Sequence, residues 1–147
     1  MNRPERADQL HRQGANCAQS VVCAFAEDLG ADKALTLRMA TGFGGGMGRT
    51  GGTCGALTGA FMALGLAFGM KEPGDQAAKE RTYALVAEAT RRFRERTGSL
   101  SCRDLLGLDL GIPEQLQAAK DRNLFATQCA GYVRIGAEIV EQLLREA

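Results

Sequence analysis

Apolar residues recur at three- and four-residue spacing along most of the chain, and no stretch alternates strongly enough to predict a strand. Residues 4–12 predict a short first helix, stopped near Gly14. Asn16 reads as the cap of a second helix running to about Asp28, with Ala18, Val21, Val22 and Phe25 inward and Gly30 closing it. Asp32 caps a third, in which Leu35, Met39 and Ala40 share a face, and this one ends at Gly42 where a glycine-dense loop begins. A central helix is expected from Thr53 to about Gly69. Pro73-Gly74-Asp75 then restarts the chain in a long amphipathic helix to Gly98, with Tyr83, Val86, Thr90 and Phe93 at helical spacing and Arg91, Arg92, Arg94, Glu95 and Arg96 on a solvated outer face. A short helix from Cys102 to about Leu106, another opened by Pro113, and a last one from about Cys129 to Leu144 complete the set. In that last helix Val133, Ala137, Val140 and Leu144 point inward. The pattern predicts an all-α, single-domain bundle of about six to eight helices over residues 1–147, with a glycine-rich loop before a buried central helix. No repeat or linker divides the chain.

Gly51 to Met70 carries no charge over twenty residues, which reaches the length of a membrane span. Its Gly and Ala content, its threonines and its lack of flanking Trp or Tyr favour a buried central helix, so no membrane insertion is expected. Gly55, Gly59 and Ala63 form a small-residue stripe on that helix, which suits close approach of another helix, either within the chain or in a homodimer. The net charge of +1 creates no field that would draw nucleic acid, and 5% aromatic content with no Trp supplies no stacking platform for single strands. The charged opening, Met1-Asn2-Arg3-Pro4-Glu5-Arg6, lacks the apolar run of a secretory signal, which predicts a cytoplasmic protein with reduced thiols.

Composition therefore turns attention to the five cysteines. Asn16-Cys17, Thr53-Cys54 and Ser101-Cys102 each place a thiol directly after a capping residue, and Gln19 and Asp104 stand where a capping box would need them. Cys129 follows Thr127 by two residues and is expected in a similar position. Helix N-termini favour the thiolate, so these cysteines are candidates for redox chemistry or metal ligation. Cys23, six residues after Cys17 and turned about 120° from it, reads as core. His11 lies in the charged first helix and reads as a surface residue; with no C-x-x-C-H in the chain, haem is not expected. The loop from Gly42 to Gly52 holds seven glycines in eleven positions. Gly46, Gly48 and Gly51 formally match G-x-G-x-x-G, but no strand precedes them, no acidic ribose contact is placed correctly, and no P-loop lysine follows, so no nucleotide is expected. Gly44, Gly45, Gly46, Gly48, Arg49 and Gly55 are instead candidate contacts to a bound group or thiolate beside Cys54, in a loop that equally suits close backbone packing.

The motif Cys54-Gly55-Ala56-Leu57-Thr58-Gly59, the glycine loop before it, Cys17 in Asn-Cys-Ala-Gln-Ser, and Cys102 and Cys129 downstream resemble the C_GCAxxG_C_C family of small bacterial and archaeal proteins, which is described as redox-active. The resemblance spans nearly the whole chain, carries the four family cysteines onto Cys17, Cys54, Cys102 and Cys129, and leaves out Cys23. It implies thiol/disulfide electron transfer with a redox partner of unknown identity, and Cys54 is the first choice of nucleophile. The same four sulfurs would suit an iron–sulfur cluster or zinc, although no close cysteine pair is present. A third reading is a non-catalytic module, with the loop and Arg49 taking a small anion or the arginine face taking a partner.

Overall fold

A computed structural model, which describes residues 1–147, is all-α, with helices joined by turns and loops and one isolated bridge between Thr53 and Ser101. Its eight helices are α1 (Arg3–Arg12), α2 (Cys17–Ala26), α3 (Lys33–Ala40), α4 (Gly55–Phe68), α5 (Gln76–Thr97), α6 (Cys102–Leu106), α7 (Pro113–Asp121) and α8 (Ala130–Glu146). Most begin where a side chain can satisfy the free N–H groups of the first turn. Asn2 with Glu5 and Asn16 with Gln19 form full capping boxes. Asp32, Asp75 and Ser101 accept from the backbone of Leu35, Ala78 and Asp104 at 2.8, 3.2 and 3.0 Å. Gly98 and Gly107 close α5 and α6 in the left-handed conformation.

The main core lies where α2, α4 and α8 meet, flanked by α1 and α5. The backbones approach too closely there for larger residues. A Cβ on Gly59 would stand 2.6 Å from the Ala18 carbonyl oxygen, and one on Gly136 would stand 2.5 Å from that of Ala56. The small-residue stripe of α4 is thus used inside the protomer. A second, smaller core of Cys102, Leu106, Leu110, Ala119, Leu124 and Cys129 sits under α6 and α7, and Cys17 and Tyr132 pack against both clusters.

Three details of the expected packing change. The central helix is buried only over its first half; at its far end Leu66 is exposed and Phe61, Met62 and Phe68 are half-buried. On α3, Thr36 and Ala40 face inward, while Leu35 and Met39 are 51% and 65% exposed. Thr36 Oγ1 donates to the Asp32 carbonyl at 2.7 Å, so this i, i+4 pair presents a compact face with its polar atom already satisfied, and the larger apolar pair one position earlier is rotated outward. The first half of α5 overhangs the bundle, which leaves Tyr83 exposed and confines full burial to Ala89 and Phe93. The arginine face near the end of α5 is paired: Arg91 with Glu88 and Glu95, Arg92 with Glu88 and with Glu146 of α8, and Arg96 with Glu138 of α8. No helix is long and apolar enough to cross a membrane.

Candidate functional site

The site starts from the cap of α2. Asn16 Oδ1 accepts from the Gln19 N–H at 2.9 Å, which fixes Cys17 at the first helical position, and Asn16 Nδ2 donates to the Thr41 carbonyl at 3.0 Å, which ties the glycine loop to that helix start. A short turn over Thr41–Phe43 then feeds a left-handed run, with φ of 69°, 66°, 67°, 69° and 68° from Gly45 to Arg49. Left-handed geometry disfavours side chains by roughly 1–2 kcal/mol each, so Met47 and Arg49 are held there by their surroundings. Gly46 needs its lack of a side chain twice over. Its φ is positive, and a Cβ there would stand 2.7 Å from Cys102 Cβ and 2.7 Å from the Gly52 carbonyl oxygen.

Just beyond this turn the loop pairs with the segment before α6. Cys54 N–H donates to the Leu100 carbonyl at 2.7 Å, and Cys102 N–H donates to that of Gly52 at 2.7 Å. This pairing corrects the expected start of the central helix. Thr53 is occupied by the bridge to Ser101, so Cys54 itself is the cap residue of α4, with no capping hydrogen bond from its side chain. The placement of Cys129 is also corrected. The chain turns helical at Leu124 and passes through a π turn, Phe125–Cys129, straight into α8, so Cys129 lies within a continuous helix and not at a free N-terminus. Gln128 Nε2 donates to the Leu105 carbonyl and lies beside Tyr132 Oη, which anchors the π turn to α6.

Cys17, Cys54, Cys102 and Cys129 all line one cavity of about 830 Å³, together with Gly44, Gly45, Gly46, Gly48, Arg49 and Gly55. Cys23 is buried elsewhere, in the main core. The loop therefore forms a wall of the cavity and also packs tightly, since a Cβ on Gly55 would stand 2.9 Å from the Ala18 nitrogen and 3.1 Å from Cys17 Cβ. All five cysteines are free thiols.

The electrostatics overturn the expectation that helix N-termini make these thiols acidic. Burial pushes Cys54 up to about 12, although the Ala56 and Leu57 N–H groups beside its sulfur pull the other way. Burial likewise raises Cys102 to about 11. In both, loss of hydration outweighs the partial charge of a helix end. Cys17 and Cys129 behave as a pair. The neighbouring Cys129 sulfur and then burial keep the proton on the Cys17 thiol well past the ordinary range, while Cys129, beside that protonated neighbour, is shifted down. The most acidic thiol of the site is thus Cys129, not Cys54.

Sequence reasoning missed the α1 side of the cavity. Asp8, His11 and Arg12 line it, so His11 is a half-buried wall residue, its pKa lowered by burial against the opposing pull of Asp8. The signal was present in the spacing: Pro4, Ala7 and Asp8 are buried, and His11 continues that stripe at helical period. Lys120 of α7 completes the polar rim, and Leu105, Leu106, Leu110, Leu116 and Phe125 supply an apolar floor. Four sulfurs are the donor chemistry that zinc or a cluster takes, yet no group of three or more His, Cys, Asp or Glu side chains is spaced to hold a metal ion. The side chains as arranged do not fit such a group.

The sequence model of a family described as "Putative redox-active protein (C_GCAxxG_C_C)" matches residues 15–143. An "Uncharacterized protein" of Archaeoglobus fulgidus is 40% identical over 119 residues, covering 75% of this chain and 78% of its own length. No solved structure matches the chain.

Proposed function

The chain belongs to the C_GCAxxG_C_C family, and we propose that its activity is two-electron thiol–disulfide exchange, carried by Cys17 and Cys129. The observation that supports this reading is that both sulfurs line one shaped cavity, where Cys129 is the thiol shifted down beside Cys17. Exchange needs a thiolate to attack and a second thiol within reach to resolve the mixed disulfide. Cys129 has the lowered pKa that the attacking group requires, and Cys17 lines the same cavity and is the most accessible of the four. Cys54 and Cys102, which burial holds protonated, do not supply the attacking thiolate. Their role is to remain thiols during the first two-electron step.

The test begins with protein purified without oxygen, whose iron, sulfide, zinc and titratable thiols are counted before and after mild oxidation with diamide. Loss of two thiols from metal-free protein supports the proposal. Stoichiometric iron and sulfide, or zinc, with the thiols protected until the metal is removed, defeats it in favour of ligation by the same four cysteines.

A further inference from the structure

The cavity around the sulfurs has a charge bias that the whole chain lacks. Its lining includes three basic side chains, Arg12, Arg49 and Lys120, and one carboxylate, Asp8. That carboxylate is already engaged: Arg12 pairs with it directly and Arg134 approaches it at 3.8 Å. Arg49 and Lys120 have no acidic partner anywhere in the protein. The neighbouring acid Asp109 is committed to Arg103 at 3.3 Å. Two unpaired cations therefore face a volume with an apolar floor and a thiol pair in its wall. A volume of about 830 Å³ is that of a small-molecule site, and sulfurs recessed in it, with Cys54, Cys102 and Cys129 at 4%, 8% and 5% exposure, are hard for a disulfide on a folded protein surface to reach.

We infer that the exchanging pair acts on a low-molecular-weight organic disulfide carrying carboxylate or similar anionic groups, held by Arg49 and Lys120 with its apolar part against Leu105, Leu110 and Phe125. This rests on the dithiol reading given above. The Cys129 thiolate attacks one sulfur of R–S–S–R, whose S–S bond breaks and releases RS⁻. Cys17 then loses its proton to the released thiolate and attacks the Cys129 sulfur of the mixed disulfide, which expels the second RS⁻. That thiolate takes its proton from water. The disulfide substrate gains two electrons and becomes two thiols, and the protein loses two electrons and gains the Cys17–Cys129 disulfide. An external dithiol resets it by the same exchange in reverse.

The test uses the reduced full-length protein and three probes: dianionic 5,5′-dithiobis(2-nitrobenzoate), neutral 2,2′-dithiodipyridine and dicationic cystamine. Each rate is divided by that probe's rate with a free small thiol at the same pH. Normalised rates should fall in the order anionic, neutral, cationic, spanning at least about tenfold at low salt and narrowing as salt is raised. In the folded double variant Arg49→Gln/Lys120→Gln the ratio of anionic to neutral rates should drop several-fold. Equal normalised rates, or an unchanged ratio in the variant, overturn the inference. Disulfide mapping of the products separates the two claims: anionic preference without a Cys17–Cys129 bond defeats the pair assignment and leaves charge selection standing, whereas that bond without anionic preference does the reverse.

Discussion

Replacing Cys54 by Ser isolates the competition that sets the thiol electrostatics. In the native protein burial holds the Cys54 thiol up to about 12, against 9.0 for an ordinary cysteine. Below pH 9 both native and unfolded chains keep this proton and stability does not depend on it. Above pH 9 the unfolded chain releases the proton and the native chain does not, so stability falls as pH rises toward the native value. Each unit of separation is worth about 1.4 kcal/mol, which makes the loss about 2 kcal/mol at pH 10.5. Serine does not ionise in this range, and as a cap residue it can accept the first-turn hydrogen bond that the Cys54 side chain does not make, a gain of up to about 1 kcal/mol at every pH. Urea unfolding of both proteins, reduced and oxygen-free, from pH 7.5 to 10.5 reads the difference directly. The stability gap in favour of Cys54→Ser should widen by about 2 kcal/mol across that range. A gap that stays constant refutes the argument that burial, and not the end of α4, controls this thiol.

Three further outcomes follow from the packing and the order of thiol acidity. Gly59→Ala should destabilise by about 1–3 kcal/mol in urea unfolding, because its Cβ would stand 2.6 Å from the Ala18 carbonyl oxygen, a backbone atom that cannot swing aside. Asn16→Ala removes the cap of α2 and the tie to Thr41, and should lower stability by about 1 kcal/mol in the same assay. In a brief iodoacetamide pulse read by mass spectrometry, Cys129 should label at a lower pH than a free cysteine peptide, with Cys54 and Cys102 protected well above pH 9; uniform labelling would contradict the assigned pKa order.

Local chemistry carried much of the fold into the sequence. Asn16, Asp32, Asp75 and Ser101 are short polar caps followed by apolar periodicity, and each starts a helix as its residue type dictates. The shared location of Cys17, Cys54, Cys102 and Cys129 was legible through the motif, and the glycine loop does form one wall of their cavity. What was not legible depends on partners distant in the chain. Thr53 has the right chemistry for a cap, but Ser101, far along the sequence, claims it for a bridge. Cys129 follows a threonine like a capped thiol, yet a π turn pinned by Gln128 to Leu105 carries the helix past it. Burial of Cys54 and Cys102, which reverses their expected acidity, is a property of how the helices converge and has no local signature. The unpaired state of Arg49 and Lys120 is likewise invisible until the acids are placed.

Four cysteines thus mark positions around one cavity, and the proposal assigns the exchange to Cys17 and Cys129 within that set. Disulfide mapping after one equivalent of diamide, on anaerobically reduced protein, tests that claim most directly. The account predicts a single Cys17–Cys129 cross-link, with Cys23, Cys54 and Cys102 recovered as free thiols. A first cross-link between Cys54 and Cys102, or no loss of thiol at all, would contradict it.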